Sequence, residues 1–147
     1  ADATSLSYTV HRRIDGHLLS GDDFGAGIAL VTEAAGLNQF RTEWQTAEDE
    51  AFIEATDFST SFVLGPQIVT SGDSTGIALV DVVQTPDGAV HSYSHVKSPS
   101  MQDDAFLRGF LVRVERADVP VAEAHHRHRG GNSDTDVTTT PREYPSG

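Results

Sequence analysis

Polar and apolar residues alternate at the start of the chain, where Leu6, Tyr8 and Val10 stand between Ser7, Thr9 and His11, the period-two pattern of a half-buried strand. A Gly- and Asp-rich loop around Gly21-Asp22-Asp23 follows, and the run Ile28-Ala29-Leu30-Val31 then predicts a second strand. Thr32 is placed to cap a short helix carrying Leu37 and Phe40, with Trp44 beyond it covering one end of the core. Thr46 followed by Asp49 and Glu50 has the form of a capping box, opening a brief acidic helix through Phe52 and Ile53 that ends before Asp57. Four further segments, Phe58 to Thr70, Ile77 to Thr85, Ala89 to Lys97 and Phe106 to Arg116, are rich in β-branched and aromatic residues and separated by turn residues. Pro86-Asp87-Gly88 marks a hairpin between two of them. Pro66 lacks an N–H, which predicts an edge or a bulge at that position.

This pattern predicts a mainly β fold, an antiparallel β-sandwich or small barrel with one or two short flanking helices and an irregular C-terminal tail. The expected division is a mainly β domain over 1–124 and a His/Thr/Pro-rich tail over 125–147, which holds almost nothing to bury.

Charge changes the picture more than length does. The 147 residues suit one domain, but 22 acidic residues face only 10 basic ones, a net charge of −12, and Lys97 is the single lysine. At ordinary ionic strength such a surplus repels itself, whereas at 1 M salt the Debye length falls to roughly 3 Å and much of that cost disappears. The composition therefore points to an acidic protein of a halophile, kept soluble by its carboxylates. No stretch approaches the roughly 20 apolar residues that cross a bilayer as a helix, and the chain starts at Ala1 rather than Met, the start expected of an exported and processed protein. With no cysteine, disulfides, thiol nucleophiles and thiolate metal sites are excluded. Nucleic acid is not an expected partner, because basic residues cluster only at Arg12-Arg13 and from Arg127 to Arg129.

Three constellations invite chemistry. Gly72-Asp73-Ser74-Thr75-Gly76 fits the G-x-S-x-G pattern of a hydrolase elbow, but that elbow needs a helix after it, and Ile77 to Val83 predicts a strand. A glycine-flanked turn fits better, and no catalytic residue is assigned. The tail histidines His125, His126 and His128 are the candidate ligands for a divalent zinc, copper or nickel ion, since His126 and His128 have the spacing of same-face strand residues. His91 and His95 share a strand face but lie about 13 Å apart at 3.3 Å per residue, too far for one ion. Finally, Asn132, Asp134, Asp136 and Glu143 occupy the first, third, fifth and twelfth places of a calcium loop, although Val137 stands where the turn requires Gly. The pairs Asp22-Asp23 and Asp103-Asp104 read as solvated charge.

The order Ile28-Ala29-Leu30-Val31-Thr32, Phe40, Thr56-Asp57-Phe58 to Gly65, Ser74-Thr75-Gly76-Ile77-Ala78-Leu79, Asp87-Gly88, Ser98-Pro99 and Phe110 to Val114 resembles the PrcB-type C-terminal domain over roughly residues 4 to 120. The resemblance implies a small, mainly β domain of secreted and envelope proteins, with relatives among exported haloarchaeal proteins. It carries no catalytic residues and implies a binding or scaffolding module outside the cell. Two roles follow. One is a surface module holding a protein or envelope polysaccharide. The other is a subunit of an extracellular assembly of copies of itself, in which the N-terminal strand leaves its own sheet and completes a neighbour's, with Leu6, Tyr8 and Val10 setting register.

The charge imbalance has a measurable consequence. The thermal unfolding midpoint is expected to rise by several degrees between about 0.1 M and about 3 M KCl, as measured by circular dichroism, because screening relieves self-repulsion in the folded state. A midpoint that falls or stays level would remove the salt-adaptation argument.

Overall fold

The computed structural model describes residues 3–19, 26–71, 75–98, 105–129 and 135–139. In chain order the elements are β1 (Thr4–Ser5), β2 (Tyr8–Asp15), β3 (Gly27–Val31), a 3-10 turn (Ala34–Gln39), α1 (Ala47–Glu54), β4 (Ser61–Ser71), β5 (Thr75–Gln84), β6 (Ala89–Ser98), β7 (Ala105–Glu115), β8 (Glu123–Arg129) and β9 (Thr135–Thr139). They form a mainly β sandwich rather than a closed barrel. One sheet has five strands in the order β1-β5-β6-β8-β9, and the other has four in the order β2-β7-β4-β3.

The sheets meet across a layer that includes Leu6, Leu30, Phe62, Leu64, Val82, Val90, Val112 and Ala124. A second apolar layer lies on the far face of the four-stranded sheet, where Ile14, Val31, Val63 and Leu111 pack with Leu18, with Phe40 at the end of the 3-10 turn and with Ile53 of α1. The inner strands β4 and β7 are thus buried on both faces, which is why Phe62-Val63-Leu64 and Phe110-Leu111-Val112 read as continuous apolar runs rather than alternations. Each fully buried side chain of this size contributes about 1.5–3 kcal/mol.

Several expectations need correction. The segment expected as an irregular tail is sheet where it is described, at 125–129 and 135–139. β8 pairs with β6 and β9 pairs with β8, so the expected boundary at 124/125 falls inside β8, while residues 140–147 lie outside the described residues. The sandwich is not wholly antiparallel, because the chain crosses to the other sheet as β7 before returning, and β8 therefore runs parallel to β6. Thr32 caps no helix; Glu33 holds the N-cap position of the 3-10 turn without a side-chain hydrogen bond. The capping box forms as expected, with Thr46 accepting from the Asp49 N–H and Asp49 accepting from the Thr46 N–H. Pro66 sits in an interior strand. The β4–β7 ladder pairs Leu64 with Val112 and resumes at Gln67 with Gly109, so it skips the position that has no N–H, while Pro66 remains opposite Ile28 on β3.

The far face of the four-stranded sheet has a notch beside Pro66. A Cβ on Gly65 would lie 2.3 Å from Cε1 of Phe40, and one on Gly109 would lie 2.8 Å from Cδ2 of Leu18. The absent side chains let Phe40 and Leu18 settle onto the sheet. Gly65→Ala is expected to lower the free energy of unfolding by about 1–3 kcal/mol in denaturant titration, because the Phe40 ring has to move. An unchanged midpoint would mean that the ring is not seated there.

Candidate functional site

The best-defined polar cluster joins β2 to α1. The β2–β7 register shifts between Val10 and Arg12, and this bulge re-aims the strand so that successive residues, His11 and Arg12, both reach Asp49. Arg12 donates from Nε at 2.8 Å and from Nη2 at 2.7 Å, one bond to each oxygen of the fully buried carboxylate. His11 donates from Nε2 at 2.9 Å, and the Thr46 N–H adds a fourth bond at 2.9 Å. The hydrogen bonds from Arg12, with help from Thr46 and His11, hold the Asp49 carboxyl well below the usual carboxylate range despite its burial. The same pairing raises the pKa of Arg12. Asp49 is therefore an anchor whose oxygens are already bonded.

The other end of α1 is held as firmly. Arg113 donates from Nη2 to the Phe52 carbonyl at 2.6 Å and from Nε to Thr56 Oγ1 at 3.1 Å, placing a cation at the carbonyl end of the helix. Its guanidinium lies 4.1 Å from the centre of the Phe52 ring, which also stacks on His11 at 4.5 Å.

Between this helix end and the sheet lies a cleft of about 310 Å³. Ser7, Tyr8 and Thr9, with Arg113 and Glu115 of β7, line one part of it, and Ala55, Asp57, Thr60 and Ser61 line the other. Asp57 accepts from Ser59 Oγ at 2.6 Å and from the Ser59 N–H at 3.0 Å, which holds its carboxyl below the usual range. Hydroxyls therefore predominate in the lining, with two carboxylates and one guanidinium already tied to α1. Such a surface suits a ligand that offers many hydrogen bonds. Sequence reasoning missed this cleft because it draws on β2, β4, β7 and the segment after α1; of its residues, only Tyr8 is among the candidate site residues read from the sequence.

The tail histidines have a different fate. Ala124, His126 and His128 point into the sandwich, whereas Glu123, His125 and Arg127 lie on the outer face, so strand alternation separates His125 from the other two. Among the described residues no group of three His, Cys, Asp or Glu is placed to hold a metal ion. Inside, Ser92 and Ser94 of β6 meet the buried imidazoles: Ser92 Oγ lies 2.7 Å from Nδ1 of His126, and Ser94 Oγ lies 2.8 Å from both Nε2 of His126 and Nδ1 of His128. Ser92 also donates to the His125 carbonyl at 3.2 Å. That bond uses the only hydroxyl proton of Ser92, so His126 donates to Ser92 from Nδ1 and accepts from Ser94 at Nε2, and His128 donates to Ser94. One direction of donation satisfies the chain with both imidazoles neutral. On the outer face His91 and His125 stack at 4.5 Å with ring planes 8° apart. Lone pairs in nearly parallel planes do not converge on one ion. His125 is paired instead with Glu123 at 3.0 Å.

The remaining candidates are placed as follows. Of the calcium set, Asn132, Asp134 and Glu143 lie outside the described residues, and Asp136 stands in β9 opposite Arg127. Ser74 also lies outside them, and the strand expected after it from Ile77 is β5, which begins two residues earlier at Thr75. Leu6 belongs to the core and its N–H donates to the Val82 carbonyl at 2.9 Å, while Tyr8 and Val10 stand opposite Val114 and Val112 of β7. The N-terminal strand thus pairs within its own chain. Among the described residues no helix is long and apolar enough to cross a membrane. The chain matches no family model, and no curated protein or solved structure is significantly similar to it.

Burial pushes the pKa of His126 down to about 3, with a smaller contribution from His128. The folded state therefore favours neutral imidazole. Its contribution to stability is complete above the unfolded value near 6.5 and is lost as the pH falls toward about 3. Urea titrations should show stability falling by roughly 1.4 kcal/mol per pH unit within that window, about 2 kcal/mol by pH 5, and His126→Gln should flatten the slope. An equal slope in the variant would place the acid sensitivity elsewhere. Asp49 acts in a lower window, because its depressed pKa makes its contribution disappear as the pH falls below about 4.

Proposed function

We propose that this chain is a non-enzymatic, salt-adapted module of an exported or cell-surface protein, and that it holds a protein or envelope polysaccharide partner in the cleft beside α1. The observation that carries this is the cleft's frame. Its wall is fixed at one end by the buried Asp49–Arg12 pair and at the other by Arg113, so its hydroxyls and carboxylates are presented without a large ordering cost on binding. Asp57 in the cleft and Asp49 at its anchor are held ionised by hydrogen bonds, which suits recognition rather than proton transfer. The excess of acid over base supports an environment of strong salt, and the resemblance to the PrcB-type domain implies the same class of role.

Amide chemical shifts test the reading. In about 3 M KCl, titration with short oligosaccharides and short peptides is expected to shift the amides around Thr9, Asp57 to Ser61 and Arg113 to Glu115, with the core unmoved. Glu115→Gln should weaken the interaction about tenfold. A full panel that leaves these amides in place would remove the cleft as the site.

A further inference from the structure

The two lateral sides of the sandwich are not alike. On one side β9 lies against β3, so the edges of the two sheets approach each other. On the other side β1 leaves its sheet after two residues and continues through Leu6 and Ser7 into β2 of the opposite sheet. Beyond that crossing β2 has only β7 beside it, and β5 from Leu79 to Asp81 has only β6, among the described residues.

Main-chain polarity along β2 follows from one bond. The Glu115 N–H donates to the Ser7 carbonyl at 2.9 Å, which makes Ser7 and Glu115 a hydrogen-bonded pair. Antiparallel ladders alternate, so Tyr8 with Val114 and Val10 with Val112 are the non-bonded pairs, and the N–H and C=O groups of Tyr8 and Val10 point away from β7. The large apolar residues exposed among the described residues are Val10, 38% exposed, and Val80, 48% exposed. They lie on β2 and β5, the two strands that flank the open side. The cleft reaches the same edge: Ser7, Tyr8 and Thr9 are consecutive, so their side chains leave on alternate faces, and a cleft lined by all three touches the strand's backbone.

We propose that the open side accepts an extended segment of a partner polypeptide, added as a strand along Tyr8 to Val10 of β2. Its alternate side chains are apolar on the face of the strand that carries Val10, and basic or hydroxylic on the face toward Asp57 and Glu115 of the cleft. Main-chain bonds supply affinity and the alternation supplies register. The basic preference follows from charge. The two carboxylates outnumber Arg113, whose Nε and Nη2 already bond the end of α1. The bulge at His11 and the charged Arg12-Arg13 pair end the receptive edge after Val10, so the accepted strand is short and open-ended stacking is discouraged. The proposal rests on the cleft being the binding site and deepens that reading by naming the partner's chemistry.

The test uses the full chain in about 3 M KCl and a synthetic capped peptide alternating valine with lysine and threonine, beside the same peptide with alternate backbone nitrogens methylated. The unmodified peptide is expected to slow hydrogen exchange of the Tyr8 and Val10 amides about tenfold or more, and the methylated one to have no effect. Equal action of the two peptides, or binding that leaves these two amides unprotected, overturns strand addition. Oligosaccharides that shift the cleft while the peptide does nothing would overturn strand addition and leave the cleft reading standing. If neither probe shifts the cleft, both readings fall. Protection of Tyr8 and Val10 without peptide, together with a mass above 15.8 kDa by light scattering, would make the occupant a second copy and overturn the assignment to a separate partner.

Discussion

The buried carboxylate of Asp49 is the constraint on which the arrangement of the helical layer depends. An ionised group away from water is costly unless its oxygens are fully bonded and a counter-charge stands beside it. Asp49 meets both conditions only when α1 begins at Thr46, because the capping box supplies one bond, and only when β2 bulges at His11, because two successive side chains must reach it. The start of the helix, the bulge and the position of the helix over the sheet are therefore coupled. Shifting any one of them strands the charge.

The remainder of the layer follows from that placement. With its N-terminus fixed, α1 brings the Phe52 ring against His11 and the Arg113 guanidinium and brings the Phe52 carbonyl to Arg113. Opposite, Phe40 and Leu18 rest on a sheet surface that lacks side chains at Gly65 and Gly109. The cleft is the space left where the helix ends and β2 begins. Its walls are held by the Asp49–Arg12 pair and by Arg113 at the end of α1, and of these residues only Arg113 belongs to the cleft's own lining.

Much of this was legible in the sequence wherever the signal was local. The strands from Ile28, Phe58, Ile77, Ala89 and Phe106, the hairpin at Pro86-Asp87-Gly88 and the capping box at Thr46 each depend on residues close in the chain, and the structure contains them. The failures were matters of pairing. From His125 onward β8 reads as irregular tail because His and Arg dominate it, yet its inward positions are Ala124, His126 and His128, and they alternate in step with Val90, Ser92 and Ser94 of β6. That shared period of two is a usable signal, masked by the polarity of a histidine-rich run whose imidazoles are buried by hydrogen bonding. Pro66 violated the edge rule because its missing N–H falls where the ladder to β7 lapses, which depends on a partner strand about 45 residues away. The cleft was least legible, since it draws on four parts of the chain.

The imidazole–hydroxyl chain also bears on how the protein recognises anything. Its donors and acceptors are matched in one direction only, so it fixes the register of β8 on β6 by hydrogen bonds rather than by net charge. The same logic extends to the surface under the proposed salt adaptation. Where screening confines charge to roughly 3 Å, attraction at a distance is weak, and a partner is held by groups in direct contact. Main-chain edges, hydroxyls and contact ion pairs act at that range, and apolar contacts gain from salting-out ions. A protein whose long-range field is repulsive to most acidic neighbours and short-ranged in its own medium would be selective because its binding surface acts only on contact. The open edge of β2 and the adjoining cleft have that character: the outward-facing N–H and C=O groups of Tyr8 and Val10, the exposed Val10 side chain and a hydroxyl-rich wall.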